Sequence, residues 1–116
     1  MIEGLYAVRF ATSLGDGSGV VVLENGNFRG GDSRMAYSGR YSVSGEMLSA
    51  DIAVFTHTDN PKLASAFGLD AFSLSLHGNF AADPPTLIGI SPNVSSVDFR
   101  ATLHRLEEPE AGPRLD

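Results

Sequence analysis

"DAFSLSLHGNF", residues 70–80, decides how the fold is read. Phe72, Leu74, Leu76, Gly78 and Phe80 occupy alternate positions, with Ser73, Ser75, His77 and Asn79 between them. In an extended chain successive side chains point to opposite faces, so this alternation marks a strand with one buried and one wet face. "VDFRATLHRL" (97–106) repeats it, setting Val97, Phe99, Ala101 and Leu103 against Asp98, Arg100, Thr102 and His104. "MAYSGRYSV" (35–43) groups Met35, Tyr37, Gly39, Tyr41 and Val43. In "MLSADIAVFTH" (47–57) Leu48, Ala50, Ile52 and Val54 share a face. "GLYAVRFATS" (4–13) offers Tyr6, Val8 and Phe10, and "GVVVLE" (19–24) is strongly β-branched. With short strands expected near 26–31 and 86–91, the count is eight.

Most connections are brief and rich in turn residues: "GDGSG" (15–19), "ENGN" (24–27), "VSGE" (43–46) and "ADPP" (82–85). Asn-Gly at 25–26 is a strong two-residue hairpin signal, because both central positions need positive φ. The exception is "HTDNPKLASAFGLD" (57–70), where Pro61 can begin a helical turn that Gly68 stops. A short helical segment is therefore expected near residues 60–67. Eight short antiparallel neighbours are expected to close into an all-β, up-and-down barrel, which removes exposed sheet edges. A two-sheet sandwich would need more long crossovers than one. The predicted inward faces mix the rings of Tyr6, Phe10, Tyr41, Phe72, Phe80 and Phe99 with Gly39, Gly78, Ala50 and Ala101. That mixture suits a small ligand cavity, and it suits a filled core equally well.

The 116 residues fit one domain, with a barrel over 1–106 and an acidic tail over 107–116 expected to fray. Net charge is −6, and half of it lies in the tail. The body carries no Lys/Arg cluster, so direct nucleic-acid binding is not expected. Cysteine is absent, which excludes thiolate chemistry. Glu3 interrupts the N-terminal apolar residues, so no signal peptide is expected and the default location is cytoplasmic. No apolar run is long enough to span a membrane as a helix. In this setting "NVS" at 93–95 reads as chance.

The glycines of "ENGNFRGGDS" (24–33) invite a phosphate-loop reading, but period-two segments flank them and no lysine follows. They read as a hairpin turn followed by a bend or bulge. His77 and His104 fall on polar faces of different strands, and His57 ends a strand beside Asp59, without metal-ligand spacing. The serines, histidines and acids show no nucleophile elbow. No enzyme, no metal and no cofactor is expected. One pattern exceeds a plain water-soluble barrel: Leu5, Ala7 and Ala11 oppose the inward set of the first strand. Val21 and Leu23 likewise oppose Val20 and Val22, and Ala53 and Phe55 oppose Ile52 and Val54. Apolar residues on both faces point to a covered outer wall, and a homodimer is the expectation.

"GLYAVRF", "ENGNFRGGDS", the "YSGRY" spacing and "FSLSLHG" together resemble the GrlR-like family, over roughly residues 1–106. Its founding member is a bacterial negative regulator of a type III secretion gene cluster. The "NGN-x-x-GGD" core at 25–32 is the most specific part of the resemblance. It implies a lipocalin-like barrel with an apolar interior, dimerisation, and regulation by binding a transcriptional activator protein. The family's acidic surface run corresponds to 43–46 here, where Glu46 alone is retained. Glu46 with the nearby Arg40 and Asp51 are the candidate partner contacts, although ordinary solvated charges would look the same. The alternative is a carrier or sensor of a small apolar ligand, held by Tyr6, Phe10, Tyr41, Phe72 and Phe80 inside the barrel. Packing alone would also account for those rings.

Overall fold

A computed structural model describes residues 2–12, 15–58 and 70–107, and for 94–97 the backbone alone. Among these residues there are eight strands: β1 (Gly4–Thr12), β2 (Gly15–Glu24), β3 (Asn27–Gly31), β4 (Met35–Ser44), β5 (Met47–Thr56), β6 (Ala71–Asn79), β7 (Thr86–Ser91) and β8 (Val94–Arg105). Each pairs antiparallel with the next, and β8 returns to pair with β1 from Tyr6↔Arg105 to Thr12↔Phe99. The result is a closed, up-and-down, all-β barrel. The helical segment expected at 60–67 lies outside the described residues, as does the tail beyond Glu107. Among the described residues no helix is long and apolar enough to cross a membrane.

The alternation read from the sequence sets the faces. Phe72, Leu74 and Leu76 of β6 are buried, as are Leu48, Ala50, Ile52 and Val54 of β5 and Phe99, Ala101 and Leu103 of β8. In β2, where both faces are apolar, Val21 and Leu23 are inward, while Val20 and Val22 are 47% and 38% exposed. Their register explains the choice. Val21 lies opposite the inward Tyr6 of β1 and Leu23 opposite the inward Phe28 of β3. The core is a single cluster drawn from all eight strands, with Leu23, Leu48 and Leu87 sealed from solvent.

Glycine lets the strands coil this tightly. Asn25 and Gly26 take φ of 53° and 77°, the pair of positive values a two-residue hairpin turn needs. Within the strands, a Cβ built on Gly30 would stand 2.0 Å from the Val20 carbonyl oxygen, and one on Gly39 would stand 2.1 Å from that of Asp51. "GDGSG", expected as a turn, is instead the first half of β2, paired with β1 from Thr12↔Gly15 to Val8↔Gly19. Residues 13–14, between β1 and β2, lie outside the described residues. Two of the three glycines of "GDGSG", Gly17 and Gly19, make space for neighbouring groups. A Cβ on Gly17 would sit 2.8 Å from the Phe10 ring, and one on Gly19 would sit 2.8 Å from the Tyr37 hydroxyl.

Candidate functional site

The two ends of the barrel differ. At the first, the hairpin turns at 25–26 and 45–46 and the 80–85 loop gather around Tyr6, which is 2% exposed. The Tyr6 hydroxyl donates to the Ile2 carbonyl at 2.5 Å and accepts from Arg105 Nη1 at 2.7 Å. Arg105 Nη2 donates to the Glu3 carbonyl at 2.7 Å, and the Asn25 N–H donates to Glu3 Oε2 at 2.7 Å. Phe80 meets the Tyr6 ring edge-on at 5.7 Å, and the Arg105 guanidinium carbon lies 5.4 Å from the ring centroid. Burial raises the Tyr6 pKa, and Arg105 partly offsets that rise. Tyr6, Phe80 and Arg105 plug the barrel core here, beneath an open surface depression of about 650 Å³ that they line together with Ile2, Pro84, Pro85 and Leu103.

At the second end the interior opens into a cavity of about 310 Å³. Its depths are apolar: Val8, Phe28, Ile52, Val54, Phe72, Leu74, Leu76 and Phe99 line them. Phe10 stacks on Phe99 at 5.9 Å with a 17° interplanar angle, forming part of the wall. The 32–34 loop between β3 and β4 and Tyr37 supply polar groups at the rim, and Asp16 and Ser18 of β2, which alternate with the inward Gly17 and Gly19, border it. The β5–β6 link leaves and re-enters the barrel at this end, and the Pro92-Asn93 turn also lies here.

Asp32 organises the rim. Its Oδ1 accepts the N–H groups of Arg34 at 2.9 Å and Met35 at 2.7 Å, and its Oδ2 accepts the Tyr37 hydroxyl. An aspartate taking backbone N–H groups two and three residues on is the Asx turn expected of this residue type. Burial, with the carboxylate next in weight, pushes the Tyr37 pKa far above its ordinary value, so the phenol stays neutral. His57 braces the loop from β5: its backbone N–H donates to the Arg34 carbonyl at 2.8 Å, and its Nε2–H donates to the Asp32 carbonyl at 2.7 Å. Arg34, whose side chain is 13% exposed, pairs through Nη2 with Asp70 at 2.8 Å, while Asp70 is 85% exposed.

Of the five rings expected to form a ligand cavity, Phe10 and Phe72 line it. Tyr6, Tyr41 and Phe80 belong to the plugged end, where they pack on the core. The candidate partner contacts are all on the outside. Arg40 donates to Asn27 Oδ1 at 3.0 Å, Asp51 accepts the Ser75 hydroxyl at 2.7 Å, and Glu46 sits in the β4–β5 turn. Arg40 and Asp51 are register neighbours across β4 and β5. The rim residues Asp32, Arg34 and Tyr37 were not among the candidates. The available signal was an inward tyrosine, whose hydroxyl needs a partner when buried, five residues after an aspartate in a turn.

The comparisons with known proteins assign no family. No family model matches the chain, and no curated protein matches it.

Proposed function

We propose that this chain is a non-enzymatic, lipocalin-like binding protein that takes a small apolar ligand through the open end of its barrel. The observation that carries this reading is the apolar cavity of about 310 Å³ that reaches the core residues at one end of the barrel. That volume is at the lower end of the range of small-molecule pockets, and an apolar lining with a few convergent polar groups is their usual chemistry. The test is saturable fluorescence enhancement of a neutral apolar dye, measured on the wild type and on two variants. Ala101→Leu fills the cavity wall, because Ala101 is inward and lines it, and should abolish the enhancement in a folded protein. Phe80→Ala, at the plugged end, should leave dye affinity unchanged. Wild-type-like enhancement in Ala101→Leu would remove the reading.

A second reading is a cytoplasmic, GrlR-like regulator acting as a homodimer on a protein partner. The exposed apolar strip on β2, Val20 and Val22, supports it. These two register with Ala7 and Leu5 of β1 on the outer wall. A Val20→Glu/Val22→Glu variant that stayed as associated as the wild type in sedimentation would exclude that strip from self-association. Unchanged partner capture by Glu46→Lys would exclude the β4–β5 turn from the partner contact.

A further inference from the structure

Resting on the ligand-binding reading above, we infer that the ligand is a compact, uncharged aromatic ring compound rather than a long-chain amphiphile. Size comes first. At the roughly 30 Å³ that a water-sized group occupies, a cavity of about 310 Å³ holds about ten non-hydrogen atoms. Phe80 and Arg105 lie over Tyr6 at the other end of the core, so a longer molecule cannot thread on through the barrel. Whatever part of it exceeded the cavity would stay in water and add nothing to affinity.

Charge is excluded by what the rim has already committed. Among the described residues three charged side chains border the cavity: Asp16, Asp32 and Arg34. The Asp32 carboxylate accepts two backbone N–H groups and the Tyr37 hydroxyl. Arg34 is paired with Asp70 at 2.8 Å. Asp16 registers with the exposed Ala11 of β1, on the outer face of β2. An ionic group brought into the cavity would lose hydration without gaining a counter-charge. What the wall does offer is aromatic. Phe10, Phe28, Phe72 and Phe99 line it, and Phe10 stacks on Phe99 at 5.9 Å. Four of the chain's seven phenylalanines thus gather on one cavity, which favours a ring over a chain. A ring among rings gains offset or edge-to-face contacts that a saturated group of equal size lacks.

The test is a chemical-shift titration of isotope-labelled protein with benzyl alcohol, cyclohexylmethanol, benzylamine and benzoate at neutral pH. The two alcohols match in size and differ in aromaticity, while the two ions keep the benzene ring and replace the hydroxyl with a charge. Benzyl alcohol should bind about two- to tenfold more tightly than cyclohexylmethanol, the span of a ring–ring contact. It should bind about tenfold more tightly than either ion, which gives up hydration to enter. Anthracenemethanol, whose fused rings exceed the cavity, should not displace it. Phe72→Leu should narrow the difference between the two alcohols, with a melting curve reporting on the fold, and the wild-type comparison stands whether or not that variant folds. Equal or tighter binding of cyclohexylmethanol would overturn the inference, as would tighter binding of benzylamine or benzoate, or displacement by anthracenemethanol. Dye binding with no response to any of the four small ligands would overturn it too and leave the cavity reading intact. Failure of the dye and of all four ligands would remove the cavity reading and this inference together.

Discussion

Each end of the barrel holds an inward tyrosine bonded to a charged side chain, yet at one end the tyrosine closes the core beneath a surface depression and at the other a cavity reaches the core residues. Tyr6 accepts from the cation Arg105, and Tyr37 donates to the anion Asp32. What differs is the surroundings of the ring. Tyr6 is covered by Phe80 and by the Arg105 guanidinium, whereas the wall beside Tyr37 is Gly19, with Gly17 one inward position further along β2. A barrel of this strand number sits near the balance between filled and hollow. Here Gly17 and Gly19 let the Phe10 ring and the Tyr37 hydroxyl lie close against β2 at the wall, while Phe80 and Arg105 lie over Tyr6 at the other end.

The contrast predicts unequal responses to the same kind of damage. Tyr6→Ala should be the most destabilising change, by about 3–5 kcal/mol, the range for truncating a buried ring, and its melting temperature should fall without loss of dye binding. Gly39→Ala should cost toward the upper end of about 1–3 kcal/mol, because the obstacle is the Asp51 backbone and not a side-chain tip that can swing away; chemical denaturation would measure it. Tyr37→Phe should cost about 1–3 kcal/mol, through the hydrogen bond lost by the Asp32 carboxylate.

The same variant carries a pH signature. The Tyr37 pKa is raised in the folded state, so above pH 10 the unfolded chain releases that proton first, and stability falls as pH climbs from there. The wild type should therefore lose stability more steeply than Tyr37→Phe in alkaline denaturation. Parallel curves would show that Tyr37 is not the group responsible. Asp70→Ala should have the smallest effect, under about 1 kcal/mol, since one partner of the ion pair is almost fully in water.

The strand order and most inward faces were legible because β5, β6 and β8 alternate cleanly, and polar residues such as Ser73, Ser75 and His77 leave one choice of inner face. β2 was not legible in this way. The run Val20, Val21, Val22, Leu23 satisfies either face, and only pairing with Tyr6 and Phe28 selects Val21 and Leu23. "GDGSG" misled for a related reason: glycine enrichment marks turns locally, but across a curled sheet it also marks the place where a ring from the next strand lies. The predicted ring set failed to separate the two ends, because periodicity reports the face a residue occupies and not its height along the barrel. The Asp32–Tyr37 bond was legible only in its parts: alternation gives an inward tyrosine and turn propensity an aspartate, but neither says that the 32–34 loop brings the two together.

The seam between β1 and β8 has a consequence for how the chain is made. Until residue 105 has left the ribosome, β1 has a partner along one side only, and its other side presents unpaired N–H and C=O groups beside Leu5 and Ala7. The barrel's last closure is also its longest in sequence, and pairings of that kind form slowly. During synthesis the protein is in effect an open sheet with a sticky border, the kind of intermediate that invites association with other chains. Expression yield, more than the stability of the finished barrel, is where changes in β8 should first be felt.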